Sequence, residues 1–150
     1  MQNFARDVLI LVNDVARQVR TRFDQRARAK GMTRAQWIIL ARLDRSPGLS
    51  QNELASNLEV EPISVGRLID RLEARGLVER RADRTDRRVR RLHLRPEAKP
   101  FIEEIEAQRE LLSAEILDGI DPDARSLLVE SLLRMKSNLT EAPQSKAVGE

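Results

Sequence analysis

Apolar residues recur along most of this chain at three- and four-residue spacings, a period that predicts helices over strands. From residue 3 to about 30, Phe4, Val8, Leu11, Val12, Val15, Val19 and Phe23 make one stripe of a long helix, ended by Gly31. Thr33 is the expected N-cap of a second helix to about Arg45, with Trp37, Ile38, Leu40, Ala41 and Leu43 on its buried side and Ser46-Pro47-Gly48 as its break. A short extended piece is expected at Leu49. Ser50-Gln51-Asn52-Glu53 reads as a capping box, in which the Ser50 hydroxyl accepts from the Glu53 amide and the Glu53 carboxylate from the Ser50 amide. A short helix from Gln51 to Leu58 follows.

Pro62, with its fixed φ and missing N–H, suits the first position of the next helix, which runs to about Arg75 before Gly76. Its face of Val65, Leu68, Ile69 and Leu72 opposes one of Ser64, Arg67 and Arg71, so the two short helices form a candidate helix-turn-helix. After Gly76 the period drops toward two. Leu77-Val78 opens one strand and Val89, Leu92 and Leu94 mark another, around a segment, residues 82–88, too polar to pack. This is a β-hairpin with a basic tip, the wing of a winged helix-turn-helix.

Two further long helices complete the chain, one from Pro96 to about Gly119 (Phe101, Ile102, Ile105, Leu112, Ile116, Leu117) and one from Asp121-Pro122 to about Leu139 (Leu127, Leu128, Leu132, Leu133, Met135, Leu139). The expected organisation is a mainly α, α+β domain over residues 1–140, with a DNA-binding lobe at about 33–95. Residues 141–150 should be a flexible polar tail. The stripes of helices 3–30, 96–119 and 121–140 exceed what a winged lobe needs, so pairing with a second copy of the chain is expected.

Composition narrows the chemistry. With 150 residues, no cysteine and His93 as the lone histidine, disulfides, thiolate metal sites and Cys/His catalysis are excluded. No Gly-x-Ser-x-Gly turn, phosphate-binding glycine loop or His-Glu-x-x-His occurs, so an enzyme is not expected, nor a cofactor or metal. His93 is read as structural. The longest apolar runs, residues 8–12 and 37–41, fall far short of the roughly 18–20 residues of a membrane span, and the start lacks a signal-peptide pattern. A cytoplasmic protein is expected.

Charge is unevenly distributed. Residues 1–75 carry +4, residues 76–95 carry +5 and residues 96–150 carry −6, for a total of +3. A short basic window ahead of an acidic third suggests a polyanion site.

Arg67 to Arg81 (RLIDRLEARGLVERR), Asp86 to Ala98 (DRRVRRLHLRPEA) and Ser113 to Ile120 (SAEILDGI) together resemble the MarR-type transcriptional regulators, SlyA-like branch. The resemblance extends from the first helix to about Thr140. It implies a homodimer with a winged helix-turn-helix in each subunit, bound to a pseudo-palindromic DNA operator and often released by small aromatic carboxylates. Two departures stand out: Arg95 replaces the usual Thr, removing an N-cap, and Glu61 stands where a neutral residue is common.

The expected DNA-binding residues are Ser50, Gln51, Pro62, Ser64, Arg67, Arg71, Asp86, Arg87 and Arg88. Ser64 and Arg67 are candidates for base edges or adjacent phosphates, Ser50 and Gln51 for backbone positioning, Arg87 for the minor groove and Arg88 for a phosphate, with Asp86 orienting a neighbouring guanidinium. Arg71 is open between a phosphate contact and a solvated surface. For an effector, Trp37 is the candidate aromatic wall, with Ile38 and Ile105 as apolar cover and Arg17 as the cation, although a plain core role for Trp37 competes. The rival reading of the whole chain is a winged-helix protein-interaction module that binds no operator.

Overall fold

The structure, a computed structural model, describes residues 4–140. A 3-10 turn at Phe4–Arg6 precedes α1 (Val8–Ala29), α2 (Arg34–Arg45), α3 (Gln51–Leu58) and α4 (Pro62–Ala74). Strands β1 (Val78–Ala82) and β2 (Arg90–Leu94), a 3-10 turn at Pro96–Ala98, α5 (Lys99–Ile116) and α6 (Pro122–Thr140) follow. Among the described residues the architecture is mainly helical with one two-stranded antiparallel sheet, a winged helix-turn-helix. It divides into two compact units, one up to Glu110 and one from Leu111.

Local chemistry sets the helix boundaries. Both predicted caps form: Thr33 accepts from Gln36 N at 3.2 Å while Gln36 Oε1 accepts from Thr33 N at 3.0 Å, and Ser50 and Glu53 exchange the equivalent bonds at 3.1 and 2.9 Å. Two long helices start later than their apolar stripes suggest. Asp7 caps α1 by accepting from the amides of Leu9 and Ile10, which leaves Phe4–Arg6 as a separate turn. Pro96 starts only a 3-10 turn, whose N-cap residue Arg95 makes no side-chain capping bond, and α5 begins at Lys99. Residue 3, the expected start of the first helix, and the expected tail at 141–150 lie outside the described residues.

In the first unit, Ile39, Leu40 and Leu43 of α2 form a closed apolar core with Leu54 of α3, Val65, Ile69 and Leu72 of α4, Val78 of β1 and Leu92 of β2. The α1 stripe is split. Ala27 is buried and Phe23 packs against the core, but Val8, Leu9, Leu11, Val12 and Val15 stay exposed. In the second unit, Asp121 caps α6 through the Ala124 amide, and the Arg125 guanidinium donates to the carbonyls of Leu117 and Ile120. No residue of α6 is buried, although Leu127, Val129, Leu132, Leu133 and Leu139 lie along it.

Strands β1 and β2 pair from Val78↔Leu94 to Ala82↔Arg90. The extended piece expected at Leu49 is present as a third edge: Leu92 N donates to Leu49 O at 2.8 Å, Gly48 N to Leu92 O at 2.9 Å, and Ser50 bridges Arg91. Gly48 has φ +85°, a conformation L side chains rarely adopt.

Arg91 fastens this corner. Its guanidinium donates to Asp83 Oδ1 at 3.1 Å and to Glu53 Oε2 at 3.1 Å, joining the wing to the cap of α3. Hydrogen bonds from the Thr85 hydroxyl, the Asp86 amide and Arg91 hold the Asp83 carboxyl well below the usual carboxylate range. The Ser50 amide, and then Arg91, lower Glu53 likewise, while Asp83 and Glu53 raise Arg91.

Leu92→Ala should destabilise the lobe by about 2–5 kcal/mol in chemical denaturation, since Leu92 is fully buried beneath the hairpin. Asp83 titrates lower folded than unfolded, so its contribution is present above an unfolded pKa of about 4 and is lost as pH falls through the folded value. Asp83→Asn should therefore melt below the parent at neutral pH, and the gap should close as melts are repeated toward about pH 2. A gap independent of pH would contradict this account of the wing.

Candidate nucleic-acid interface

Two elements of the first unit carry the candidate residues, and each is held by contacts within the chain. Between α3 and α4, Glu59 adopts a left-handed conformation (φ 54°) and Pro62 takes the first position of α4. Gln51 Nε2 donates to Pro62 O at 3.0 Å, tying the start of α3 to the first turn of α4. Gly66 permits this approach: a Cβ there would lie 2.8 Å from Gln51 Nε2 and push the amide off its carbonyl. Glu61, at the N-cap of α4, makes no capping bond.

The buried face of α4 leaves Ser64, Arg67 and Arg71 exposed, as the spacing predicts. The two acids within this helix, Asp70 and Glu73, are already engaged. Arg80 of β1 pairs with Asp70 at 2.7 Å and with Glu73 at 3.1 Å, and also donates to Gly66 O at 3.4 Å. Among the described residues, Arg67 and Arg71 make no ion pair.

At the wing tip, Asp83 Oδ2 accepts from the Thr85 amide and hydroxyl and from the Asp86 amide, and Asp83 N donates to Val89 O. The loop is thereby organised without an apolar core of its own. Asp86 Oδ1 accepts from the Arg88 amide at 3.0 Å. Asp86, expected to orient a guanidinium, holds the Arg88 amide instead, and the wing acid that binds a guanidinium is Asp83, which shares Arg91 with Glu53. Arg84, Arg87, Arg88 and Arg90 are exposed and, among the described residues, make no ion pair.

Ser50 and Gln51, also expected at the interface, spend their side chains inside the protein, one capping α3 and the other holding Pro62. Trp37 and Ile105 are buried, whereas Ile38, expected on the buried side of α2, is exposed and Ile39 takes that place in the core; Trp37, Ile38 and Ile105 all line a cavity of about 370 Å³ between α1, α2 and α5. Phe23 and Ala41 extend its apolar wall, and Arg20, Arg34, Arg42, Arg45 and Arg109 with Glu106 form its polar edge. Arg17 is not part of this lining and pairs with Asp14 at 3.0 Å. Sequence reasoning passed over Arg80, Asp83 and Arg91 as organising residues, and read Glu53 only as the capping partner of Ser50. The strand register carried a signal for one of them, since alternation from buried Leu92 turns Arg91 to the opposite face.

The MarR family model matches residues 30–89, from the end of α1 to the wing. The structure is similar to that of the transcriptional regulator PA3341 (36% identity, 86% of this chain and 95% of that one, TM-score 0.76). It also resembles the transcriptional regulator SlyA (25%, 89% and 94%, 0.78) and MarR (26%, 89% and 90%, 0.78). Among the described residues, no helix is long and apolar enough to cross a membrane. Through its helix-turn-helix and wing, and through its identity with a regulator along nearly that protein's whole length, the chain belongs to the MarR family.

Proposed function

We propose that this protein is a sequence-specific double-stranded DNA-binding transcriptional regulator, acting as a homodimer on a pseudo-palindromic operator. One observation carries the reading: Arg67 and Arg71 on α4, and Arg84, Arg87, Arg88 and Arg90 on the wing, make no ion pair among the described residues, while Asp70, Glu73, Glu53 and Asp83 are tied to Arg80 and Arg91. Unneutralised guanidinium groups on a helix-turn-helix and its hairpin suit phosphates, and a planar fork also suits guanine edges or a narrow minor groove. Arg67 and Ser64 are assigned to the major groove, Arg87 to the minor groove, and Arg88 and Arg71 to phosphates. Pro62 sets the entry of α4, Ser50 and Gln51 position it, and Asp86 shapes the tip.

Dimerisation is assigned to the exposed apolar residues of α1 and α6, more than a monomer in water would leave uncovered. The cavity beside Trp37 is assigned to a small aromatic carboxylate or phenolic effector. Ring-sized apolar walls and a rim of arginines suit such an anion, and Arg20 and Arg42 make no ion pair among the described residues. Arg20 or Arg42, as lining residues, replace Arg17 as the favoured cation.

Binding to the DNA immediately upstream of the coding region should weaken steeply with salt, as expected when arginines displace counterions. Arg87→Ala should cost about 1–3 kcal/mol of operator affinity and leave dimerisation and melting unchanged. Salt-insensitive binding, or an Arg87→Ala protein binding like the parent, favours the protein-interaction reading. Ending the chain after Ile120 should abolish dimerisation and operator binding together in sedimentation and gel-shift assays. Salicylate at millimolar concentration should change Trp37 fluorescence and release the operator; no response in either removes the effector assignment.

A further inference from the structure

The leading end of α4 differs chemically from the rest of the candidate interface. Residues 59–64 are Glu59, Val60, Glu61, Pro62, Ile63 and Ser64, with no cation among them. Ile63 is 67% exposed and Val60 45% exposed, and neither belongs to the core. Ile63 precedes Arg67 by four residues and Arg71 by eight, so the three lie along one outer stripe of α4. The backbone beneath Ile63 is well braced, by the fixed φ of Pro62, the Gln51 bond to its carbonyl and the close approach that Gly66 permits.

We infer that Ile63 is a specificity-determining residue that packs against the 5-methyl group of a thymine in the major groove, next to the position read by Arg67. The inference rests on the DNA-binding reading above. A helix N-terminus ordinarily attracts phosphate through its free amides, but Pro62 removes one of these donors and this end carries two exposed apolar side chains flanked by the carboxylates of Glu59 and Glu61. Carboxylates are repelled by the DNA backbone and tolerated only toward base amines, which favours base edges over phosphates at this end. Among major-groove edges, the thymine methyl is the apolar feature, and covering it with a braced, branched side chain removes both from water without a directional bond. Val60, just outside the helix, widens the same apolar surface.

The test begins with selection of binding sites from a random DNA pool by the full-length protein. In the selected site, each thymine is then replaced by deoxyuridine, which removes only the methyl group, and affinities are measured for the parent and for Ile63→Ala. One position per half-site should lose about fourfold in affinity for the parent, the effect of one buried methyl-sized group. Ile63→Ala should be indifferent to the same replacement, while its melting temperature and its salt dependence match the parent's. The same uracil penalty in both proteins, or no uracil-sensitive thymine in a well-selected site, overturns the assignment of Ile63 alone. A parent that enriches no sequence overturns the DNA-binding reading along with it.

Discussion

The candidate interface depends on one charged junction. Arg91 sits where the wing meets the cap of α3, with Asp83 on one side and Glu53 on the other. Each acid also organises backbone: Asp83 gathers the amides of Thr85 and Asp86, and Glu53 closes the capping box with Ser50. A single guanidinium therefore links a helix start, a strand and a hairpin tip that are far apart in sequence. Partly exposed ion pairs contribute little stability individually. Their consequence here is geometric, because the flanking arginines can act on a ligand only if the hairpin holds a defined attitude toward the helices.

Arg80 makes a parallel junction on the other side of the lobe, from β1 to Asp70, Glu73 and the Gly66 carbonyl of α4. The two arginines together engage four acids. Without them, Asp70 and Glu73 would partly cancel Arg67 and Arg71 on the same helix. Structural arginines thus leave the exposed ones on α4 uncompensated, and a similar logic applies in the cavity, where Arg34 and Arg45 are paired with Asp24 and Glu106 while Arg20 and Arg42 make no ion pair among the described residues.

What the sequence made legible was local. The capping boxes at Thr33 and Ser50, Pro62 at the start of α4, and the change of period after Gly76 each depend on residues within one or two turns, and each is found where expected. Boundaries failed where two starts competed, as at Asp7 against residue 3 and Lys99 against Pro96. Arg91 was hidden for a different reason. A run of five arginines does not reveal which one meets a carboxylate 38 residues away, because that depends on strand register and on the edge formed by Leu49 and Ser50. The α1 stripe shows a third limit, since periodicity identifies an apolar face without saying whether its own chain covers it.

Internal pairing also changes what the charge map means. Counted along the chain, residues 76–95 form a basic window, yet Arg80, Arg81, Arg91 and Arg95 within it pair with acids of the same chain. Exposed arginines without an ion pair among the described residues include Arg67 and Arg71 of α4 and Arg84, Arg87, Arg88 and Arg90 of the wing, whereas the first turn of α4 carries no charge and is preceded by Glu59 and Glu61. A polyanion held by such a surface would meet cations along the middle of α4 and on the wing, while the apolar leading end of the helix would face base edges. Which arginines remain available to such a ligand follows from which charges the fold has already neutralised.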